Sequence, residues 1–390
     1  MKESLSNLPV LVVSTNERLT LRLLRGLDKL SIKADILALN KSSGSTKISK
    51  FCRKYTRYSQ ETVAIEWEAI AETINQYCEK ENIAVIIPSG MQATFILSAI
   101  KTKITAAKVF PLAHPETIQR IHNKWFLYED ISPQGLSFPK SVLLENLEQL
   151  NSLEIEFPII VKPIELAGGK GIKKINSLLE VQQYLATSHA DNQLPLILQE
   201  YIDGYDICLS VLAKQGEVIA WTIQEGLPHY LKFFQDDAVL DLGKRIISFY
   251  NFTGIANFDL RVDRNNNQAK IIECNPRIWA SVEASLWYGV NFLQLGILLA
   301  LEQTIPPELQ TEVLSSQPTK VPYPWLGRTI KGYINGRFPI KEIPKLSLGI
   351  FWQNLFDISP SIYDKILTQL GRGEVHDNIS ELLTARMARK

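Results

Sequence analysis

Five consecutive residues, Glu273-Cys274-Asn275-Pro276-Arg277, concentrate groups that can do chemistry. They close an apolar run at 269–272 that reads as a strand. A second strand-like run, Gly254-Ile255-Ala256-Asn257-Phe258-Asp259, lies just upstream. Side chains alternate across a strand, so Glu273, Asn275 and Arg277 are expected on one face. A carboxylate and an amide oxygen can hold a hard cation such as Mg²⁺. A guanidinium can clamp a phosphate or carboxylate through two parallel hydrogen bonds. Asp259 on the neighbouring strand would add a second carboxylate to the same ion. Such a surface suits a magnesium-bound nucleotide and phosphoryl transfer. Cys274, between the two ligands, is expected to face the core.

Further groups lie upstream. Lys162 follows Ile159, Ile160 and Val161, and a lysine in so apolar a strand needs a partner, which a bound phosphate would supply. The turn Ala167-Gly168-Gly169-Lys170-Gly171-Ile172 could cap phosphates with its backbone N–H groups. It is not a P-loop, because Ile164 stands where the first glycine belongs and Gly171 where Ser or Thr belongs. Taken alone it reads more readily as a surface hairpin. Glu200 and Asp206 could bond an adenine amino group or ribose hydroxyls, with Ile202 offering its backbone to the base. Singly, each also reads as a surface carboxylate, and Asp259 as an ordinary strand residue. Glu273 with Asn275 is the stronger signal, since an acid and an amide on one face of an apolar strand need a shared partner.

The elements that must position these groups follow from periodicity. Short apolar runs at 10–14, 36–39 and 84–88 read as buried strands, and 18–30 and 64–80 as helices. Their alternation predicts an α/β domain with a parallel βαβ sheet. No GxGxxG is present, so a dinucleotide site is not expected. Pro88-Ser89-Gly90 follows a strand, where open α/β sheets take ligands, although a plain turn explains it as well. A loop and helix at 113–127 carry Lys124. Strands are expected at 158–163 and 196–202, an antiparallel pair at 207–213 and 218–223, a loop at 225–237, a helix at 236–250, and strands at 256–262 and 269–274. The middle of the chain is therefore α+β. The apolar run 285–300 reads as one buried helix, too short and too polar for a bilayer span. Five prolines make 304–324 an extended connector. Helices are expected at 361–370, with Ser361 as N-cap, and at 380–388.

Composition sets the remaining bounds. The chain has 390 residues, 45% hydrophobic and 21% charged, with a formal net charge of +1. That length allows two or three domains, and that charge favours neither nucleic acid nor an anionic membrane as a partner. Residues 1–9 lack the apolar core of a signal peptide. Four cysteines without CxxC spacing argue against a disulfide framework or zinc site and fit a reducing cytoplasmic setting. The five histidines are scattered, and no Ser-His-Asp or Cys-His set is evident.

Order and spacing together resemble the ATP-grasp superfamily over residues 113–303. The signature is Lys124, Val-Lys162-Pro, Gly-Gly-Lys-Gly, Gln199-Glu200-Tyr-Ile202, Asp206, Asp259 and Glu273-x-Asn275-Pro-Arg277. The predicted ATP-dependent carboligases look most similar. The resemblance implies an ATP-grasp fold with an N-terminal pre-ATP-grasp domain (1–112), an ATP-grasp domain (113–303, with a nucleotide lobe at about 125–205 and a metal lobe at about 206–303) and a partly helical extension (304–390). It implies that Lys124 and Lys162 contact ATP phosphates, with Lys162 and Arg277 serving catalysis. Gly168, Gly169, Lys170 and Gly171 would close over the nucleotide. Gln199, Glu200 and Ile202 would hold adenine, and Asp206 the ribose. Asp259, Glu273 and Asn275 would bind Mg²⁺, with Mn²⁺ a substitute. Asp259 and Asp206 depart from the family, where Glu is usual. The implied activity joins a small-molecule carboxylate to an amine through an acyl-phosphate, releasing ADP and phosphate. Carboxyl-phosphate chemistry and a non-catalytic ATP-binding regulator are the alternatives. A homodimer is a family-level expectation. The 225–237 loop, with His229, Tyr230 and Lys232, would help form the substrate pocket.

Overall fold

The computed structural model describes residues 5–39, 44–58, 67–164, 171–187, 194–228, 230–306, 309 and 319–322, and part of the stretch from Gly349 to Ile366. The N-terminal elements are β1 (Val10–Ser14), α1 (Glu17–Asp28), β2 (Ala34–Ala38), β3 (Cys52–Arg57), α2 (Trp67–Glu81), β4 (Val85–Ser89), α3 (Met91–Ile100) and β5 (Lys108–Val109). They build a parallel sheet in the order β3-β2-β1-β4-β5. Every residue of β1, β2 and β4 is buried, as expected of central parallel strands covered on both faces. Edge strand β3 is polar and half-exposed, which is why it lacks an apolar sequence signal. α1 starts where the Asn16 side chain accepts from Leu19 N–H, and it buries Leu19, Leu23, Leu24 and Leu27.

The next elements are α4 (Pro115–His122), α5 (Lys124–Ile131), β6 (Ser141–Leu144), β7 (Ile159–Pro163), β8 (Lys173–Ile175), α6 (Leu178–Thr187) and β9 (Leu196–Glu200). The strands form an antiparallel sheet in the order β6-β9-β7-β8 around Ile159, Val161, Leu196 and Leu198. Then come β10 (Gly204–Lys214), β11 (Glu217–Gly226), β12 (Tyr230–Phe234), α7 (Asp237–Phe249), β13 (Gly254–Asp263), β14 (Ala269–Asn275), α8 (Val282–Tyr288), α9 (Phe292–Ala300) and β15 (Thr319–Pro322). Their strands make a second antiparallel sheet in the order β14-β13-β10-β11-β12-β15.

Three expectations change. The stretch 225–237 is not simply a loop. Its Tyr230–Phe234 portion is a strand paired with both β11 and β15, and Phe233, fully buried, stacks on Tyr288. The run 285–300 is two helices rather than one, bent by 98° at the break. Gly289 makes the bend possible with φ of +124°, a region that side-chain-bearing residues rarely enter. Thr319–Pro322 lies within the expected connector but forms a sheet strand. Ser361 and 380–388 lie outside the described residues. Among the described residues no single helix is long and apolar enough to cross a membrane.

Gly204, which opens β10, has no room for a side chain. A Cβ there would sit 1.9 Å from the Val262 carbonyl oxygen, which is backbone and cannot rotate away. We expect Gly204→Ala to destabilise the protein by at least about 3 kcal/mol in urea denaturation, the upper end of overpacking costs. A loss below about 1 kcal/mol would show that β10 and β13 do not meet so closely.

Candidate active site

The site is built on the antiparallel pair β13–β14. Asp259 lies directly opposite Glu273, and Asn257 opposite Asn275. Paired residues share a face, so two carboxylates and two amides project to one side. The row continues across β10 and β11, where Cys208 and Ser210 oppose Asp259 and Asn257 and are themselves opposed by Gln224 and Thr222. Cys274 pairs with Phe258 on the other face and is 1% exposed.

Hydrogen bonds join this row. The Cys208 thiol donates to Asp259 Oδ1 at 3.2 Å, and Asn257 Nδ2 to the same oxygen at 3.1 Å. Asn275 Nδ2 donates to Glu273 Oε1 at 3.2 Å and to Asp259 Oδ2 at 3.4 Å. Lys124 is the first residue of α5, beside Asn123, whose side chain accepts from Trp125 and Phe126 N–H. Its Nζ lies 3.1 Å from Glu273 Oε2, and only 8% of its side chain is exposed.

Lys162 enters from the other antiparallel sheet and is 2% exposed. It donates to Gln199 Oε1 at 2.8 Å and to the Ile272 carbonyl at 3.4 Å. The second contact depends on a β-bulge. Leu260 opposes Ile271 and Asp259 opposes Glu273, which leaves Ile272 as the extra residue of β14. Gln199 is fixed in turn, since its Nε2 donates to Ser141 Oγ at 2.9 Å.

Burial and charge set the protonation states. Burial, then repulsion from Glu273, raises the Asp259 pKa. Burial also works to raise that of Glu273, but Lys124, a hydrogen bond from Asp259 and Asn275 outweigh it, and the net shift is downward. Without a cation the pair is therefore biased to share one proton. Burial first, then Lys124, pushes Lys162 down to about 7, with Glu273 opposing.

The residues fit a divalent cation. They supply two opposed carboxylates and an amide whose oxygen now accepts from Arg277 Nη2 at 3.1 Å. That is enough for Mg²⁺, which keeps waters and phosphate oxygens in its other positions. Among the described residues no third carboxylate, histidine or thiol completes an all-protein cage.

Other expected site residues are placed differently. β14 ends at Asn275, so Arg277 is not on the strand. A tight turn brings it back, with its N–H on the Asn275 carbonyl at 2.9 Å and Nη1 on the Ile278 carbonyl at 3.0 Å. The Glu200 carboxylate is held by Lys270 Nζ at 3.0 Å and the Lys140 N–H at 3.1 Å. Asp206 is exposed and bonded to Arg261 Nη1 at 2.7 Å, while Arg261 Nε donates to the Ile202 carbonyl at 2.6 Å. Glu200, Ile202 and Asp206 thus lie along one edge with Lys270 and Arg261. Gly171, with φ of +73°, is described, whereas Gly168, Gly169, Lys170 and His229 lie outside the described residues. Tyr230 and Lys232 lie on β12, where Lys232 pairs with Glu225 at 3.8 Å.

Sequence reasoning missed Cys208, Ser210, Thr222, Gln224 and Asn257. Polar residues at every second position of three strands were the available signal. His122, two residues before Lys124 at the end of α4, was missed for lack of any local pattern. Its ring is influenced by Arg277, Lys124, Glu273 and the Cys274 backbone.

Comparison with known proteins bears on the fold that carries this site. A family model described as "ATP-grasp domain" matches residues 121–229, and another, "ATP-grasp in the biosynthetic pathway with Ter operon", matches 192–321. The carbamoyl phosphate synthase large chain of Thermoanaerobacter sp. (strain X514) is 22% identical over 291 residues, 69% of this chain and 26% of its own. The same enzyme from Thermoanaerobacter pseudethanolicus is 20% identical over 304 residues. The chain spans about a quarter of the length of these curated relatives. Among solved structures, N5-carboxyaminoimidazole synthetase from Staphylococcus aureus, complexed with ADP, matches with a TM-score of 0.63 over 87% of both chains at 15% identity. L-amino acid ligase from Bacillus licheniformis matches with a TM-score of 0.55, 16% identity and coverage of 77% and 75%. The biotin carboxylase domain dimer of Hydrogenobacter thermophilus 2-oxoglutarate carboxylase, with MgADP and bicarbonate, gives 0.59, 16%, 78% and 71%. The chain contains an ATP-grasp domain and has the ATP-grasp fold, preceded in sequence by the five-stranded parallel sheet.

One pH dependence follows from His122. Burial first, then Arg277 and Lys124, lowers its pKa to about 4, below an unfolded value of 6.5. The unfolded chain takes up the proton first, so this contribution to stability is full above pH 6.5 and is lost as pH falls toward 4. We expect metal-free His122→Gln protein to lose about 2 kcal/mol less than wild type between pH 7 and 4, allowing for partial solvent access. Parallel stability–pH curves would show that the ring is solvated.

Proposed function

We propose that the protein is an ATP- and Mg²⁺-dependent, ADP-forming ligase that activates a small-molecule carboxylate as an acyl-phosphate for attack by an amine. The observation that carries this reading is the register pairing of Asp259 with Glu273, with Lys124 and Lys162 buried beside them. The ATP-grasp fold supports it. Asp259, Glu273 and Asn275 would hold Mg²⁺ (or Mn²⁺), which would neutralise charge on the phosphates.

Lys124 and Lys162 bind the phosphate oxygens. A phosphate arriving at Lys162 gives the buried ammonium an opposite charge and holds its proton. Residues Gly168 to Gly171 cover the nucleotide and exclude water. Gln199, Glu200 and Ile202 line the adenine, Asp206 the ribose, and Arg277 holds the transferring phosphoryl group. A substrate carboxylate oxygen attacks the γ-phosphorus, and the bond to the β-phosphate oxygen breaks, releasing ADP. The amine nitrogen then attacks the acyl carbon. Phosphate leaves with the bonding electrons, and the nitrogen gives up a proton. The substrates are small molecules, and the working assembly is a homodimer, a reading the biotin carboxylase domain dimer supports.

A second reading has bicarbonate as the activated carboxylate. It is favoured by the likeness to carbamoyl phosphate synthase and to a biotin carboxylase domain solved with bicarbonate.

ADP release from Mg-ATP, measured across pools of amino acids, small carboxylates and bicarbonate, tests both. Release dependent on a carboxylate and an amine supports the ligase, and release dependent on bicarbonate the second reading. Failure of every pool would count against turnover of this kind. With the responding pool, Glu273→Gln should lower turnover at least about a hundredfold, the scale of losing a principal charge-stabilising group. Undiminished turnover would remove Glu273 from the metal site.

A further inference from the structure

We infer that Gly349, Gln353 and Asp357 form a clasp that holds α8, and through it the Arg277 turn, against the N-terminal sheet and its helix α1. The segment that carries them grips both partners. At one end Gly349 lies against α8, where a Cβ would come within 2.8 Å of the Trp287 ring. At the other end it docks on α1 and on Ser49 and Lys50, just before β3. Asp357, 1% exposed, accepts from Ser49 Oγ at 3.0 Å and from Lys50 N–H at 2.9 Å. Arg25, equally buried, donates through Nη2 to the Asp357 carbonyl at 3.1 Å, and its Nε lies 3.7 Å from the carboxylate. Gln353 Nε2 donates to the Arg25 carbonyl at 2.8 Å and to Asp28 Oδ2 at 3.3 Å.

A second buried ion pair carries the grip onward. Arg22, one turn before Arg25 on α1, meets Glu283 Oε2 at 3.2 Å, and Glu283 is fully buried. Glu283 is the second residue of α8, whose first turn follows the 276–281 turn. That turn contains Ile278, whose carbonyl takes Arg277 Nη1, and Trp279, which is 3% exposed and packs edge-on to Phe292. Buried charges such as these are costly to separate, because each would be left unpaired away from water. Asp357 with Arg25 and Glu283 with Arg22 are thus two separate ion pairs anchored on the same helix, α1. By contrast Lys162, Gln199 and Ser141 lie on the four-stranded sheet, outside both pairs.

The clasp is thus a positioning device whose release loosens the Arg277 side of the site and spares the nucleotide side. Its consequence for turnover rests on the proposed function, but its mechanical part does not. The test is amide hydrogen exchange on full-length Asp357→Ala/Gly349→Leu protein, which is altered at both grips. We expect exchange to rise at least tenfold in 276–288 as well as in 349–363, with β7 and β9 unchanged. A rise confined to 349–363 and α1 would overturn the inference, as would a uniform rise across β7 and β9. If the double variant does not fold, Gln353→Ala carries the same readout and the same two overturning patterns. In the ADP-release assay kcat should fall at least tenfold with the KM for ATP within twofold. Intact kcat beside loosened 276–288 would show that the clasp does not serve turnover. Absence of ATP turnover in the wild type would count against the proposed function and leave the exchange result standing.

Discussion

Two carboxylates facing each other across a pair of antiparallel strands form the constraint that organises this molecule. Asp259 and Glu273 are fixed in apposition by the β13–β14 ladder and cannot separate without breaking backbone hydrogen bonds. Their repulsion in a mostly buried setting has to be balanced. Lys124 balances it from a helix terminus, Asn257 and Asn275 from the same sheet face, and the Cys208 thiol from the strand behind. They arrive from α5 and from three strands of the six-stranded sheet, so the helix pair α4–α5 and that sheet must both be in place before the site exists.

The same constraint explains why the two antiparallel sheets meet where they do. Lys162 belongs to the smaller sheet, yet it ends on the carbonyl of Ile272 in the larger one. A buried ammonium in an apolar strand is unfavourable on its own. Here it is shared between Gln199 and the neighbouring sheet, and its proximity to Lys124 is offset by Glu273. The two antiparallel sheets are thus joined at their contact by a buried cation that bonds to both.

Legibility in the sequence followed periodicity. The buried strands β1, β2, β4 and β7 and the carboxylates of β13 and β14 stood out because apolar runs and acidic ends are local patterns. The site row on β10 and β11 did not, because Cys208, Ser210, Thr222 and Gln224 become neighbours only once the register is set. Arg277 was expected on one strand face with Glu273 and Asn275, but the strand ends at Asn275, and a turn rather than alternation brings the guanidinium to the Asn275 side chain. β12 was read as loop although it forms a hairpin with the adjacent β11, and its second partner, β15, is far away in sequence. The break in 285–300 depended on one glycine whose backbone angle cannot be seen in composition.

The bulge at Ile272 has a wider consequence. Counted against its partner, β14 contains one residue more than the ladder uses. Leu260 still faces Ile271 on one side of the bulge, and Asp259 still faces Glu273 on the other. A strand without Ile272 would pair without interruption and would keep both carboxylates in place. What it would lack is a carbonyl turned toward Lys162. The bulge is therefore the point where this sheet gives up regularity and gains a carbonyl acceptor for a buried ammonium.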